Sequence, residues 1–94
     1  MAVARVVTFE GVGQDRMNEM QQEISSGEPP EGFPPGELIV LYDADDERAL
    51  VIGIFANDDD YNKAHEILDA MPADQTPGRR SSVKKHDVAL RMSN

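Results

Sequence analysis

The sequence predicts an α+β domain with the element order β-α-β-β-α-β, in which two helices cover one face of a four-stranded antiparallel sheet. Residues 3–9 and 37–56 are rich in β-branched and other apolar residues with the alternation of strands. Residues 14–26 and 57–71 instead repeat apolar residues at the spacing of amphipathic helices. We expect one domain, 1–94, whose length is near the minimum for a self-sufficient core.

The first predicted strand, VARVVTF, ends at the sequence GVG, after which a helical pattern begins. Met17, Met20 and Ile24 recur at offsets of three and seven, which places them on one face of a helix over residues 14–26. Gly27 follows the last apolar position of this pattern. We therefore expect Gly27 to cap the helix at its C-terminus.

The segment 27–36, GEPPEGFPPG, contains four prolines and three glycines. These residues fix or break the backbone angles, and the prolines lack amide donors, so neither a helix nor a strand continues through the segment. Phe33 is its only large apolar residue. We expect a surface connection that Phe33 anchors onto the body of the domain.

Residues 37–56, ELIVLYDADDERALVIGIFA, read as a β-hairpin whose two apolar strands flank a short charged loop. In the first strand Leu38, Val40 and Tyr42 alternate with Ile39 and Leu41; in the second Leu50, Ile52, Ile54 and Ala56 alternate with Ala49, Val51, Gly53 and Phe55. We assign Ile39, Leu41, Val51 and Phe55 to one of two apolar sets. Two helices cover one face only, so a second subunit is expected to cover the other, and the sequence predicts a homodimer.

The second predicted helix begins after Asn57, a residue type that favours the N-cap, and three aspartates follow it. Tyr61, Ala64, Leu68 and Met71 then follow the spacing of a helix. A polar segment with a Pro-Gly turn comes next. The last strand is predicted from an alternating pattern that places apolar and basic residues on one face over residues 83–92.

This element order is the split βαβ arrangement of the ferredoxin-like fold. With the hairpin running into an acidic helix start (VIGIFANDDDYNKAHEILDAM) and the closing strand (SSVKKHDVALRM), the chain resembles the dimeric α+β barrel superfamily, in particular its small domains similar to antibiotic biosynthesis monooxygenases. The resemblance implies two sheets that pair into a barrel, and a pocket between sheet and helices in each subunit. Enzymes of this group often use an Asn, a Trp and a His. Asn57 and His65 match two of these, but the chain has no Trp, so we expect neither haem nor another cofactor.

His65 lies four residues after Tyr61, on the helical face that we assign to the sheet. We predict that His65 is the catalytic acid or base and that Phe9, Tyr42, Tyr61 and Leu68 line the ligand pocket. The alternative is a structural histidine hydrogen-bonded within the fold.

Two functions follow from this pattern. The first is a cofactor-free monooxygenase-like enzyme acting on a small aromatic substrate. The second is a non-catalytic domain that binds a small ligand or another protein. A cavity with polar groups around His65 would favour the enzyme, and a solid core there would favour the binding domain.

Composition excludes several other functions. The net charge of −9, with 18 acidic and 9 basic residues, argues against nucleic-acid and membrane partners. The chain has no cysteine, and its acidic clusters lack the spacing of a calcium loop, since Arg48 stands where the glycine belongs, so we expect no metal. The N-terminal run contains Arg5 and no cleavage signal, from which we expect a cytoplasmic protein.

Positive charge is concentrated near the C-terminus. The basic residues of this patch are Arg79, Arg80, Lys84, Lys85 and Arg91. We expect them to face carboxylates of the same or of a partner subunit rather than an anionic ligand.

Overall fold

The computed structural model describes residues 1–72 and 76–93 and confirms the predicted ferredoxin-like α+β fold. The elements in chain order are β1 (Val3–Glu10), α1 (Gln14–Ser26), β2 (Glu37–Asp43), β3 (Arg48–Phe55), α2 (Asp58–Asp69) and β4 (Arg79–Asp87). The strands form one antiparallel sheet in the spatial order β2-β3-β1-β4. In the described ranges, neither helix is long and apolar enough to cross a membrane.

The two faces of the sheet differ in what covers them. Residues paired directly across antiparallel strands project to the same side, and Val7 pairs with Val51, which also pairs with Val40. These residues pack in an apolar cluster with α1, and Val3 and Phe55 on the same side pack in a second cluster with α2, so we call this side the helix face. The other side is the open face. It carries Val6, Thr8, Ile39, Leu41, Leu50, Ile52, Ile54, Lys84 and His86.

The register corrects one assignment made from the sequence. Ile39 pairs with Ile52 and therefore lies on the open face, together with Leu41, whereas Val51 and Phe55 lie on the helix face. The four residues do not form one set. The last residue pair before the hairpin loop, here Asp43 with Arg48, sets the register and so decides which residues of the two strands share a face. The sequence pattern alone does not identify that pair.

The helix face carries two clusters of buried side chains. The α1 cluster consists of Val7, Phe9, Val12, Met17, Met20 and Ala49. The α2 cluster consists of Val3, Phe55, Tyr61 and Ala64. Phe33 packs against the α2 cluster, with its ring centroid 6.1 Å from that of Phe55, so the predicted anchor of the proline-rich connection is confirmed.

The ends of both helices agree with their sequence signals. The Asn57 side chain accepts a hydrogen bond from the Asp60 amide at 2.8 Å, which satisfies one of the free amides of the first turn. Gly27 caps α1, although its backbone is extended rather than left-handed. A side chain at Gly27 would place its Cβ 2.5 Å from the Glu23 carbonyl oxygen, so close approach is the reason for glycine here.

The last strand begins and ends earlier than the predicted range of 83–92. It starts at Arg79, because residues 79–82 pair with the end of β1 across a bulge. It ends at Asp87, which is the partner of Val3, the first residue of β1. Beyond that pair one backbone hydrogen bond follows, from the Val88 amide to the Ala2 carbonyl oxygen at 2.8 Å, and Leu90 and Met92 are 77% and 80% exposed. Residues 73–75 of the predicted polar segment lie outside the described residues.

Candidate functional site

The side chains predicted to form one pocket lie in two places. Phe9 belongs to the α1 cluster, and Tyr42 packs against that cluster. Tyr61 belongs to the α2 cluster, and His65 stacks on it. His65 contacts Arg5 on β1. Phe9 lies four residues after Arg5 on the same strand, which corresponds to a separation of about 13 Å. Leu68, on α2, is partly buried. The structure thus brings each pair together but does not bring the two pairs together.

Tyr42 has a structural partner. Its hydroxyl donates a hydrogen bond to the Val12 carbonyl oxygen at 2.7 Å, which ties β2 to the turn that leads into α1. Burial raises the pKa of the Tyr42 phenol above its ordinary value, and the negative charges of Glu47 and Asp43 act in the same direction. The hydroxyl therefore stays protonated and keeps its role as a donor.

A cleft lies beside Tyr42, between α1 and β2. Its lining is largely apolar and consists of Met17, Met20, Gln21, Ile24, Ser25, Val40 and Tyr42. Its volume is about 160 Å³, below the roughly 300–1,000 Å³ of sites for drug-sized ligands. The cleft has room for a molecule the size of one aromatic ring.

Arg5 is the buried charge of the helix face. Its side chain lies between the two clusters, opposite Gly53 on one neighbouring strand and Lys85 on the other, and only 6% of it is exposed. Its Nε donates a hydrogen bond to Nδ1 of His65 at 3.1 Å. A guanidinium has no acceptor, so Nδ1 is the acceptor and the neutral imidazole carries its proton on Nε2.

The His65 ring is also held by stacking. It lies nearly parallel to the Tyr61 ring, at 8° and with 5.8 Å between the centroids. The Nζ of Lys85 lies 5.0 Å from the centroid of Tyr61, within the range of a cation–π interaction. Phe55 meets Tyr61 edge-on at 6.4 Å. His65 is therefore fixed by both its ring face and its Nδ1 atom.

Ion pairs extend this arrangement along α2. Lys85 pairs with Asp58 at 3.1 Å, and Arg80 pairs with Asp69 at 2.7 Å. The hydrogen bond and charge of Arg80 hold the pKa of Asp69 below its ordinary value. We call this row of polar and aromatic side chains the α2–β4 ladder. Its members are Arg5, Asp58, Tyr61, His65, Asp69, Arg80 and Lys85.

The ladder accounts for part of the basic C-terminal patch. Arg80 and Lys85 each face a carboxylate of α2, and Arg91 forms an ion pair with Glu37 at the far edge of the sheet. The prediction that these charges are matched by carboxylates within the protein is confirmed for these three residues.

Arg5 is not among the site residues predicted from the sequence. Two signals point to it. It shares a strand face with Val3 and Val7, where a charge needs a polar partner. In α2, Tyr61, His65 and Asp69 recur at intervals of four, so one helical face carries polar groups toward the sheet.

Comparison with known proteins finds no family model that matches the chain and no curated protein with significant similarity to it. Within residues 1–72 and 76–93, no three histidine, aspartate or glutamate side chains come together in a way that could hold a metal ion.

The bond between Arg5 and His65 leads to a stability prediction. The His65→Ala variant removes the acceptor of a buried guanidinium, and we expect the free energy of unfolding to fall by about 1–3 kcal/mol. The His65→Gln variant keeps an acceptor oxygen, so its loss should be smaller. Urea unfolding measures both. Lys63→Ala, an exposed change on the same helix, is the control. Equal stability of the Ala and Gln variants would contradict the role of the hydrogen bond.

Proposed function

We propose that the protein is a homodimeric small-ligand-binding domain in which the open faces of two sheets pack together. The observation that carries this proposal is the apolar surface of the open face. Ile39 is 40% exposed and Leu41 is 49% exposed in the single subunit, beside partly exposed Leu50, Ile52 and Ile54. A contiguous apolar patch on a small protein is typical of an interface. The assembly would be of the dimeric α+β barrel type that the sequence resembles.

The charges at the two edges of the open face favour a second copy as the occupant. The edge strand β2 carries Asp43 and Glu37 on this face, of which Glu37 already pairs with Arg91, and the opposite edge strand β4 carries Lys84 and His86. On the central strands Arg48 and Glu10 pair with each other at one end of the face. A twofold axis parallel to the strands lays β2 of one copy over β4 of the other, so acidic groups meet basic ones. An in-plane axis across the strands would lay β2 on β2 and oppose like charges.

The dimer is tested with two leucines of β2. Leu41 lies on the open face and Leu38 on the helix face, and their exposed fractions are nearly equal, 49% and 50%. We expect Leu41→Asp to give a monomer, because the dimer would bury an unpaired carboxylate, while Leu38→Asp stays dimeric. Light scattering coupled to gel filtration at micromolar concentration gives the mass. A monomeric parent protein, or equal dissociation of both variants, would refute the dimer.

The ligand site that we propose is the cleft between α1 and β2. Polar groups expected to act on a substrate are engaged elsewhere: the Tyr42 hydroxyl bonds Val12, and Nδ1 of His65 accepts from Arg5. The lining of the cleft, in which Met17, Met20, Ile24 and Val40 outnumber the polar Gln21 and Ser25, suits a small apolar or aromatic molecule. Binding rather than chemistry is therefore the better supported function.

Methionine methyl groups report on this cleft. Met17 and Met20 line it, whereas Met71 and Met92 lie outside it. We expect a small aromatic probe such as benzyl alcohol to shift the ¹³C-methyl signals of Met17 and Met20 in a saturable way and to leave those of Met71 and Met92 unchanged. Uniform small shifts at all methionines would indicate non-specific contact and would count against the site.

Cofactor-free oxygenation is the second candidate. The observation that favours it is the partly exposed His65 ring, whose Nε2–H is a donor able to stabilise a developing oxyanion. His65 would then act as a donor and not as the base that the sequence suggests.

An activity assay separates the two candidates. If the protein is an oxygenase, it should consume oxygen with a quinol-type or anthrone-type substrate. His65→Gln should then lower kcat by about 10²-fold or more. No turnover by the parent protein at millimolar substrate would exclude this candidate for these substrates and leave the binding function.

A further inference from the structure

The outer edge of β2 is free to pair with another strand. β2 lies at one edge of the sheet, and among the described residues no strand pairs with its outer side. Every second residue of such a strand points its amide and carbonyl groups away from the sheet. Lysine and proline commonly protect an exposed edge, and the opposite edge strand, β4, carries Lys84 and Lys85. The sequence of β2, ELIVLYD, contains neither residue type.

The proposed ligand cleft lies along this same strand, on the helix face. Val40 and Tyr42 of β2 line the cleft, and its lining on α1 includes Ile24, which is 45% exposed. Leu38 lies on the same face of β2 and is 50% exposed. Residues directly opposite one another on paired strands project to the same side. A segment paired with β2 would therefore turn alternate side chains toward α1 and the cleft.

The elements that form the cleft carry the whole net charge of the protein. Residues 11–47 include α1, the proline-rich connection, β2 and the hairpin loop, and they contain ten acidic residues and one basic residue. The rest of the chain contains eight acidic and eight basic residues. This side of the molecule therefore attracts a basic partner.

Few of these ten carboxylates are neutralised within the protein. The two glutamates of α1 pair with Arg16, and Glu37 pairs with an arginine of the C-terminal segment. Among the described residues, the other seven form no ion pair. Burial raises the pKa of the Tyr42 phenol, and Glu47 and Asp43 raise it further, so these two carboxylates stand close to one end of the cleft.

The same charges disfavour a second copy of β2 as the added strand. Antiparallel pairing of two β2 strands in full overlap would place Glu37 of each copy opposite Asp43 of the other. Like charges directly opposite one another destabilise a strand pair. The free edge therefore suits a strand of opposite charge.

We propose that the cleft is part of a groove that binds a basic peptide in extended conformation, added to β2 as a further strand of the sheet. The peptide backbone pairs with the free edge, an apolar side chain occupies the cleft, and lysine or arginine side chains meet the unpaired carboxylates. This inference rests on the ligand cleft of the proposed function and names the class of its ligand. It does not depend on the dimer.

A synthetic peptide with the sequence Lys-Thr-Phe-Thr-Val-Thr-Lys tests the groove. Phe and Val alternate with Thr, so in a strand they project to one side. We expect the peptide to slow hydrogen exchange at every second amide of β2, because only these amides face the free edge. Replacing both lysines of the peptide by glutamate should weaken binding by about tenfold or more, since like charges then meet at the groove.

Two variants of β2 locate the bound peptide. Leu38→Asp places a carboxylate on the helix face beside the groove, and Leu41→Asp places the same charge on the open face of the same strand. We expect Leu38→Asp to weaken peptide binding by about tenfold or more, because the bound peptide would bury the new carboxylate. Leu41→Asp should bind the peptide as the parent protein does. Equal affinities of the two variants, or exchange that slows without alternation along β2, would overturn the proposal.

Benzyl alcohol separates failure of this inference from failure of the ligand cleft. If benzyl alcohol shifts the methyl signals of Met17 and Met20 while the peptide leaves exchange in β2 unchanged at millimolar concentration, the peptide proposal is wrong and the cleft stands. If neither ligand affects these signals, the ligand cleft and the peptide proposal are both wrong.

Discussion

A single buried charge organises the covered side of the sheet. Arg5 stands in the middle of β1, with Val3 on one side and Val7 on the other, and its guanidinium cannot be packed among apolar groups without a partner. His65 supplies that partner from α2. The face of α2 that lies against Arg5 therefore carries polar side chains, whereas the sheet-facing side of a helix is usually apolar. The intervals of four between Tyr61, His65 and Asp69 follow from this need.

The opposite side of the same sheet has the reverse character. Its centre is apolar, its edge strands carry acidic groups on β2 and basic groups on β4, and one ion pair, Arg48 with Glu10, closes one end of the central strands. A chain of this length buries a modest share of its surface by itself. Covering the open face with a second copy would add apolar burial where the single subunit lacks it. On the helix face, polar contacts fix the position of α2 against the sheet. On the open face, burial of apolar surface in a dimer would stabilise the folded protein.

The sequence predicts the local features of this fold well. The helix over residues 14–26, the Asn57 cap and the Phe33 anchor all depend on neighbours in the chain, and all three are found. The bounds of β4 are different, because they are set by where β1 begins and not by the residues of β4. The residues of β4 do not reveal that β1 is the neighbouring strand or where it begins.

The candidate site shows the same limit. Helical periodicity correctly places Tyr61 and His65 on one face of α2. It does not predict which part of the sheet that face contacts. Phe9 and Tyr42 share the helix face with them yet belong to the other cluster. The importance of Arg5 becomes visible only when its neighbours are known, since Arg80 and Lys85 form the ion pairs with the carboxylates of α2 and His65 supplies the hydrogen-bond acceptor.

The division of the helix face into two clusters also shapes how the molecule opens. Apolar contact joins α1 to one cluster and the first half of α2 to the other, and between them lies a row containing Arg5 and Gly53. Few apolar contacts cross this row, so the packing of one cluster depends little on the packing of the other. Each helix can therefore detach with its own opening free energy while β1 and β3, which serve both clusters, stay paired. Amide protons of the two central strands would be the last to exchange with solvent, and those of α1 and α2 would exchange through separate openings.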